Sequence, residues 1–215
     1  MDPDFWHERW HNNEIGFHES KVNPALLKHL SSIELASGSR VFVPLCGKTL
    51  DIGWLLSQGY SVVGAELSKM AVEQLFTDLG VEPGITEAGK LSRYHAEGID
   101  IFVGDIFDLT MDSVGQVDAV YDRAALVALP EAMRKQYTAH LSTITNVAPQ
   151  LLVTFEYDQR VMEGPPFSIS SDEVQSHYAS QYQIASLSSG PIKGGLKGKT
   201  EAIATVWLLK GRSQD

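Results

Sequence analysis

The sequence predicts an α/β fold: a doubly wound, mixed sheet of about seven strands with helices on its faces and a terminal antiparallel hairpin. Three features carry that expectation. Compact apolar runs such as VFVPL and YSVVGAEL, suited to strands buried on both faces, alternate with stretches of helical period. The links between them are short. The last two strand-like runs have no helix between them, so they pair most simply side by side and antiparallel.

Taken in order, PALLKHLSSI (24–33) spaces its apolar residues as a helix, with Asn23 as cap and Pro24 in the first position. SRVFVPL (39–45) is the first strand, and GKTLDIGWLLSQG (47–59) a helix closed by Gly59. YSVVGAEL (60–67) is the second strand, followed by a helix, SKMAVEQLFTDLG (68–80), that starts at Ser68 and stops at Gly80. The stretch 81–98 is a polar insertion with room for one short strand around 91–95. IDIFVGDIF (99–107) gives the third strand and its exit loop, and VDAVYD (117–122) the fourth. PEAMRKQYTAHLSTIT (130–145) is an amphipathic helix, PQLLVTFEYD (149–158) the fifth strand, and SSDEVQSHYAS (170–180) a helix capped by Ser or Asp. YQIASLSS (182–189) and EAIATVWLLKG (201–211) form the hairpin across GPIKGGLKGKT (190–200).

A chain of 215 residues, 43% hydrophobic and 20% charged, is most simply one domain, 1–215, with a full core. A net charge of −10 repels nucleic acid and anionic membrane surfaces while tolerating a cationic small molecule. The single cysteine, Cys46, excludes an internal disulfide and suits a reducing compartment. The acidic, Trp-bearing start differs from a secretory signal, and no run approaches ~20 apolar residues, so the expectation is a cytoplasmic protein. A monomer is expected, with a small molecule as partner.

Ligands of doubly wound sheets bind beyond the carboxyl ends of the strands. There the first strand leaves through VPLCGKT (43–49), which lacks both the P-loop spacing and the G-x-G-x-x-G fingerprint. Without those glycines, backbone amides cannot crowd a pyrophosphate, which argues against a nucleotide polyphosphate and leaves a phosphate-free nucleoside open. Glu66 stands 19 residues after Gly47, placed to accept both hydroxyls of a ribose; the alternative is that it only favours the dipole of the following helix. GDIF (104–107) ends the third strand, where amides and an acid are placed to read an adenine edge; the alternative is a loop that only covers the strand tip.

Ribose and base without phosphate, on an acidic protein, suggest S-adenosylmethionine. The blocks FWHERWHNNEIGFHES, RVFVPLCGKTLDIGWLLSQGYSVVGAELS, GDIFDL, VYDRAALVALP and YDQRVMEGPPF run in order along most of the chain. They resemble thiopurine S-methyltransferase of the bacterial type. The resemblance implies a Rossmann-like class I methyltransferase core over 36–215 beneath an N-terminal helical lid, 1–35. It further implies cofactor contacts at Trp10, Leu45, Glu66, Ile106 and Arg123, an aromatic substrate contact at Phe17, and a substrate contact at Asp122. It implies S-adenosylmethionine as cofactor, S-adenosylhomocysteine as product, and methyl transfer to thiopurines or other aromatic heterocyclic thiols. Bacterial relatives are also linked to methylation of tellurium and selenium oxyanions. Trp10 has a second reading as a core anchor beside Trp6, and Asp122 one as a helix cap. For Arg123, orienting the anionic acceptor or the cofactor tail stands against a salt bridge to Asp122 or Glu156. No general base is expected, because an aromatic thiol is already partly ionised near neutral pH.

HERWH (7–11) matches the zinc signature H-E-x-x-H. The extended form requires Gly and His where the chain has Glu14 and Phe17, so no metal is expected. The fold also serves non-catalytic binding proteins, which leaves a cofactor sensor as the rival class.

Overall fold

The computed structural model describes residues 3–212; Met1, Asp2 and 213–215 of the expected domain lie outside them. Nine strands among the described residues form one sheet: β1 (Arg40–Val43), β2 (Ser61–Glu66), β3 (Gly84–Ala88), β4 (Leu91–Ala96), β5 (Ile99–Val103), β6 (Ala119–Arg123), β7 (Gln150–Glu156), β8 (Tyr182–Pro191) and β9 (Ile203–Gly211). Their order is β3-β4-β5-β2-β1-β6-β7-β9-β8. The inner five, β5 to β7, run parallel, while β8 and β9 form the expected antiparallel hairpin. The order reverses between β1 and β6, which opens a crevice above their carboxyl ends.

The sheet exceeds the expected seven strands because the polar insertion folds as an antiparallel pair, β3 and β4, on the edge beside β5. Of these, β4 coincides with the strand expected around 91–95. Four of the five β3 residues are exposed, so no apolar run marks it.

Helices cover both faces. Alternation along the strands sends Val41, Val43, Val62 and Tyr121 into one core layer, with Leu26, Ile52, Val72 and Phe76 from α2 (Pro24–His29), α3 (Leu50–Ser57) and α4 (Lys69–Leu79). Phe42, Val63 and Val120 point the other way, onto Tyr137, Leu141 and Tyr178 from α6 (Glu131–Ile144) and α7 (Ser171–Tyr178). The expected caps form: the side chains of Asn23, Ser68 and Ser170 each accept a first-turn amide, and Gly80 ends α4 with φ 70°. The helix expected over 47–59 begins only at Leu50, where Thr49 caps it. The helix expected over 24–33 is α only to His29 and closes as a 3₁₀ turn, Leu30–Ile33. α1 (Pro3–His11) precedes all of this, and the short α5 (Met111–Val114) follows β5.

The loop leaving β1 can tuck against β2 only because position 64 has no side chain. A Cβ at Gly64 would lie 2.8 Å from Ile101 Cδ1, 3.2 Å from Cys46 Sγ and 3.3 Å from the Val43 carbonyl oxygen. Gly64→Val should therefore cost about 1–3 kcal/mol of stability by overpacking. Urea denaturation should show this as a lower midpoint with an unchanged slope.

Candidate active site

The crevice holds a cavity of about 800 Å³, lined by strand tips below and by residues 3–19 above. Its floor is set by the turn after β1. Leu45 and Gly47 adopt positive φ (44° and 53°), reversing the chain so that the Cys46 amide donates to the Ala65 carbonyl at 2.9 Å. The next amide, Gly47 N–H, donates to Glu66 Oε2 at 2.8 Å, and Ser68 N–H donates to Oε1 at 2.8 Å. The backbone thus fixes both carboxylate oxygens, and Glu66 lines the cavity. Burial raises the Glu66 pKa, and the amides of Ser68, Gly47 and Leu67 oppose that shift by favouring the anion. Ile106, in a 3₁₀ turn after β5, supplies an apolar wall beyond Glu66.

The roof is aromatic. Trp10 is buried, and its indole lies over Gly47 so closely that a Cβ there would come within 3.0 Å of Cζ2. Phe17 stands between two indoles, edge to face, with centroids 5.6 Å from Trp10 and 5.7 Å from Trp6. Trp10 therefore anchors the N-terminal segment and also lines the cavity, so its two readings are compatible.

Arg123, at the end of β6, faces the cavity and pairs at 2.5 Å with Glu19 rather than with Asp122 or Glu156. Glu19 in turn accepts from Asn23 Nδ2 at 3.2 Å, and the Asn23 amide donates to Asp51 at 2.8 Å. Asp51 also accepts the Tyr121 hydroxyl at 3.0 Å. This chain of polar contacts ties residues 19–23 to the tips of α3 and β6.

Asp122 is a correction. Strand alternation turns it away from Arg123, and it does not line the cavity. Its carboxylate is fully buried, accepting from the Tyr137 hydroxyl at 2.7 Å and the Leu126 amide at 3.1 Å. That is a capping and core role, with no access to an acceptor. Ala124 follows with φ 64° and does line the cavity.

Sequence reasoning missed Trp6, His18, Glu19, Asp51, Tyr121 and the Lys197 rim as cavity residues. His18 was legible only by its place beside Phe17; burial and the charges of Lys48 and Arg123 lower its pKa, against Asp78 and Glu19. His7 and His11 of HERWH are both exposed on α1. Among the described residues no group of three His, Cys, Asp or Glu side chains is placed to hold a metal. Cys46 is buried and its thiol pKa is pushed well up, chiefly by desolvation, which keeps it protonated.

The family model for thiopurine S-methyltransferase matches residues 1–206. The chain belongs to that family. It is 56% identical to the thiopurine S-methyltransferase of Xanthobacter autotrophicus, covering 98% of this chain and 99% of that protein. The enzyme of the same name from Teredinibacter turnerae is 54% identical over 97% of each. Among solved structures, Burkholderia thailandensis 1,6-didemethyltoxoflavin-N1-methyltransferase, with its substrate and S-adenosylhomocysteine bound, superposes with a TM-score of 0.67. That likeness covers 98% of this chain and 87% of that one at 14% identity, and it bears on the fold alone. A TehB-like methyltransferase from Corynebacterium glutamicum gives 0.58 at 12% identity over 98% of each chain. Among the described residues of this family member, no helix is long and apolar enough to cross a membrane.

The buried Asp122 makes a pH prediction. Burial raises its pKa from 3.8 to about 6, against the opposing amide and Tyr137 hydroxyl bonds. The folded chain thus holds this proton more tightly than the unfolded chain. The resulting stabilisation is full below about pH 4 and is lost as pH rises through about 6. Relative to Asp122→Asn, the wild type should lose on the order of 2–3 kcal/mol of stability across that window. Denaturation curves of the two proteins at a series of pH values measure it.

Proposed function

We propose that this chain is an S-adenosylmethionine-dependent S-methyltransferase acting on the thiol of thiopurines and related aromatic heterocycles. The observation that carries the reading is the Glu66 carboxylate, held by two backbone amides at the second strand tip beneath a roof of indole and phenyl rings. Family membership and the phosphate-free character of the β1 turn support it.

The residues fit the group. Glu66 would take the ribose hydroxyls with its free lone pairs, Ile106 would cover the adenine face, and Leu45 and Trp10 would enclose the tail. S-adenosylmethionine, when bound, supplies a methyl group on a sulfonium. The chain's own work is positional and electrostatic. Trp10 and Phe17 exclude water and present π faces to a cation, worth roughly 0.5–2 kcal/mol each. Arg123, inside the cavity, favours the anionic form of an acceptor thiol. It does so once its pairing with Glu19 is shared or released. Nucleophile and methyl must meet in line, and holding them so supplies much of the rate. By keeping water out, the aromatic chamber of Trp6, Trp10 and Phe17 would favour a transfer in which opposite charges cancel. No side chain has to accept a proton during transfer. We propose that residues 3–19, the part of the expected 1–35 lid that lines the cavity, close over the cofactor, and that the protein works in a reducing cytoplasm.

Labelled S-adenosylmethionine incubated with 6-mercaptopurine or benzenethiol should give the thioether. Binding without transfer would make the chain a sensor instead. Turnover of selenite or tellurite in preference to thiols would move the acceptor class to metalloids and detoxification. Glu66→Ala should weaken S-adenosylhomocysteine binding about 10- to 100-fold by calorimetry. The wild type should also discriminate against a 2′-deoxyribose analogue, and the variant should not. If both discriminate equally, Glu66 is not the ribose acceptor. Amide hydrogen exchange over residues 3–19 should slow when S-adenosylhomocysteine is added, and equal protection would remove the lid.

A further inference from the structure

The mouth of the cavity carries two cations that the chemistry above does not use. Arg9 comes from α1 and Lys197 from the β8–β9 loop, and both line the cavity. Neither is well partnered. Arg9 Nε is buried with no hydrogen-bond acceptor, and its guanidinium reaches Glu14 only at 3.5 Å, with that acid 57% exposed. An exposed pair at that distance contributes little. Lys197 Nζ donates to a neutral group, the Pro165 carbonyl oxygen, at 2.8 Å. Burial, then the like charges of Arg9 and Lys199, hold its pKa below the ordinary amine range. No carboxylate within the described residues forms a salt bridge with Lys197.

The inner cation, Arg123, does have its acid in Glu19. Phe17 and Trp6 line the same cavity and offer flat surfaces suited to an aryl ring. Pro165 and Pro166 border the same side as Lys197. A ring lying there with its sulfur inward would direct substituents on its far side toward Arg9 and Lys197.

We propose that Arg9 and Lys197 form an anion subsite, and that the acceptor is an aryl thiol bearing a carboxylate on the ring. This rests on the aromatic-thiol reading above and narrows its substrate class. The carboxylate would give Lys197 a charged partner in place of a neutral carbonyl, and charge-assisted bonds of this kind are the strong ones. Arg9, already held over the Phe5 ring at 4.5 Å, has little freedom left to lose when it binds. Two cations from separate elements also make the subsite depend on the lid and the hairpin loop coming together.

The test compares mercaptobenzoates with their methyl esters near neutral pH. In the wild type, the ratio of kcat/KM for acid over ester is measured for the ortho, meta and para isomers. Lys197→Met and Arg9→Met should each lower that ratio at least about five-fold for the preferred isomer, through KM. Because the ratio is compared between proteins, differences in thiol acidity between acid and ester cancel. Lys197→Arg should restore most of it. Lys193→Met, the same charge change in the same loop, should leave the ratio at the wild-type value. Calorimetry with S-adenosylhomocysteine present gives a readout without turnover: the acid should bind more tightly than the ester, and Lys197→Met should erase the difference. Equal ratios in wild type and both Met variants, or equal binding of acid and ester, would overturn the subsite. Methylation of both with no preference leaves the thiol reading standing. Tight binding of the acid without methylation of any thiol would sink that reading instead.

Discussion

The geometry of the cavity depends on one contact, the hydrogen bond from the Gly47 amide to the Glu66 carboxylate. It fixes the turn after β1 against the tip of β2, at the place where a Rossmann-type nucleotide site would put a glycine-rich loop. A positive φ at Gly47 aims the amide, and the absence of a side chain there lets Trp10 descend onto the turn. One residue therefore sets the anionic floor and the aromatic roof together. The missing glycines accord with the same contact: a carboxylate already takes the Gly47 amide, and its negative charge would repel a phosphate there.

The roof is coupled to the floor a second time through polar contacts. Glu19 reaches Arg123, Asn23 reaches Asp51, and Asp51 reaches Tyr121. The N-terminal segment is thus held by aromatic packing at Trp10 and by charge at Glu19. These two attachments respond to different ligands. An apolar ring displaces nothing polar, whereas an anion near Arg123 competes directly with Glu19. The same segment that shields the cavity from water is therefore the one whose hold an acceptor can alter.

The strands were legible because burial on both sheet faces demands continuous apolar runs, and the helix ends because Asn23, Ser68, Gly80 and Ser170 have local reasons to be where they are. The edge strand β3 was not, since Gly84–Ala88 stays mostly exposed and is held by backbone pairing to β4. The site divides along the same line. Glu66 followed from spacing, because two adjacent parallel strands fix the distance between their tips. Asp122 and Arg123 were both legible as tip residues, yet alternation sends them to opposite faces. Which of the two faces the cavity depends on where β6 ends. Its pairing with β7 runs through Arg123, which keeps Asp122 in the strand and turns it onto Tyr137. Contacts such as Glu19 to Arg123 join distant parts of the chain and leave no local signature.

The charge balance of the molecule follows from what the cavity must hold. An acidic protein attracts a cationic cofactor, but the same field repels an anionic nucleophile. Cations inside the cavity resolve this locally: Arg123 pairs with Glu19 of the lid at the inner end, while Arg9, which reaches Glu14 only at 3.5 Å, and Lys197 stand at the mouth. The Arg123–Glu19 pair balances charge within the closed segment while leaving its cation able to turn to an entering anion. Under the proposed chemistry the charges of sulfonium and thiolate would cancel, which loosens the hold of the aromatic roof on the one and of Arg123 on the other. A ring carboxylate at Arg9 and Lys197 would keep its charge, so release would begin at the inner end, where Glu19 recovers Arg123.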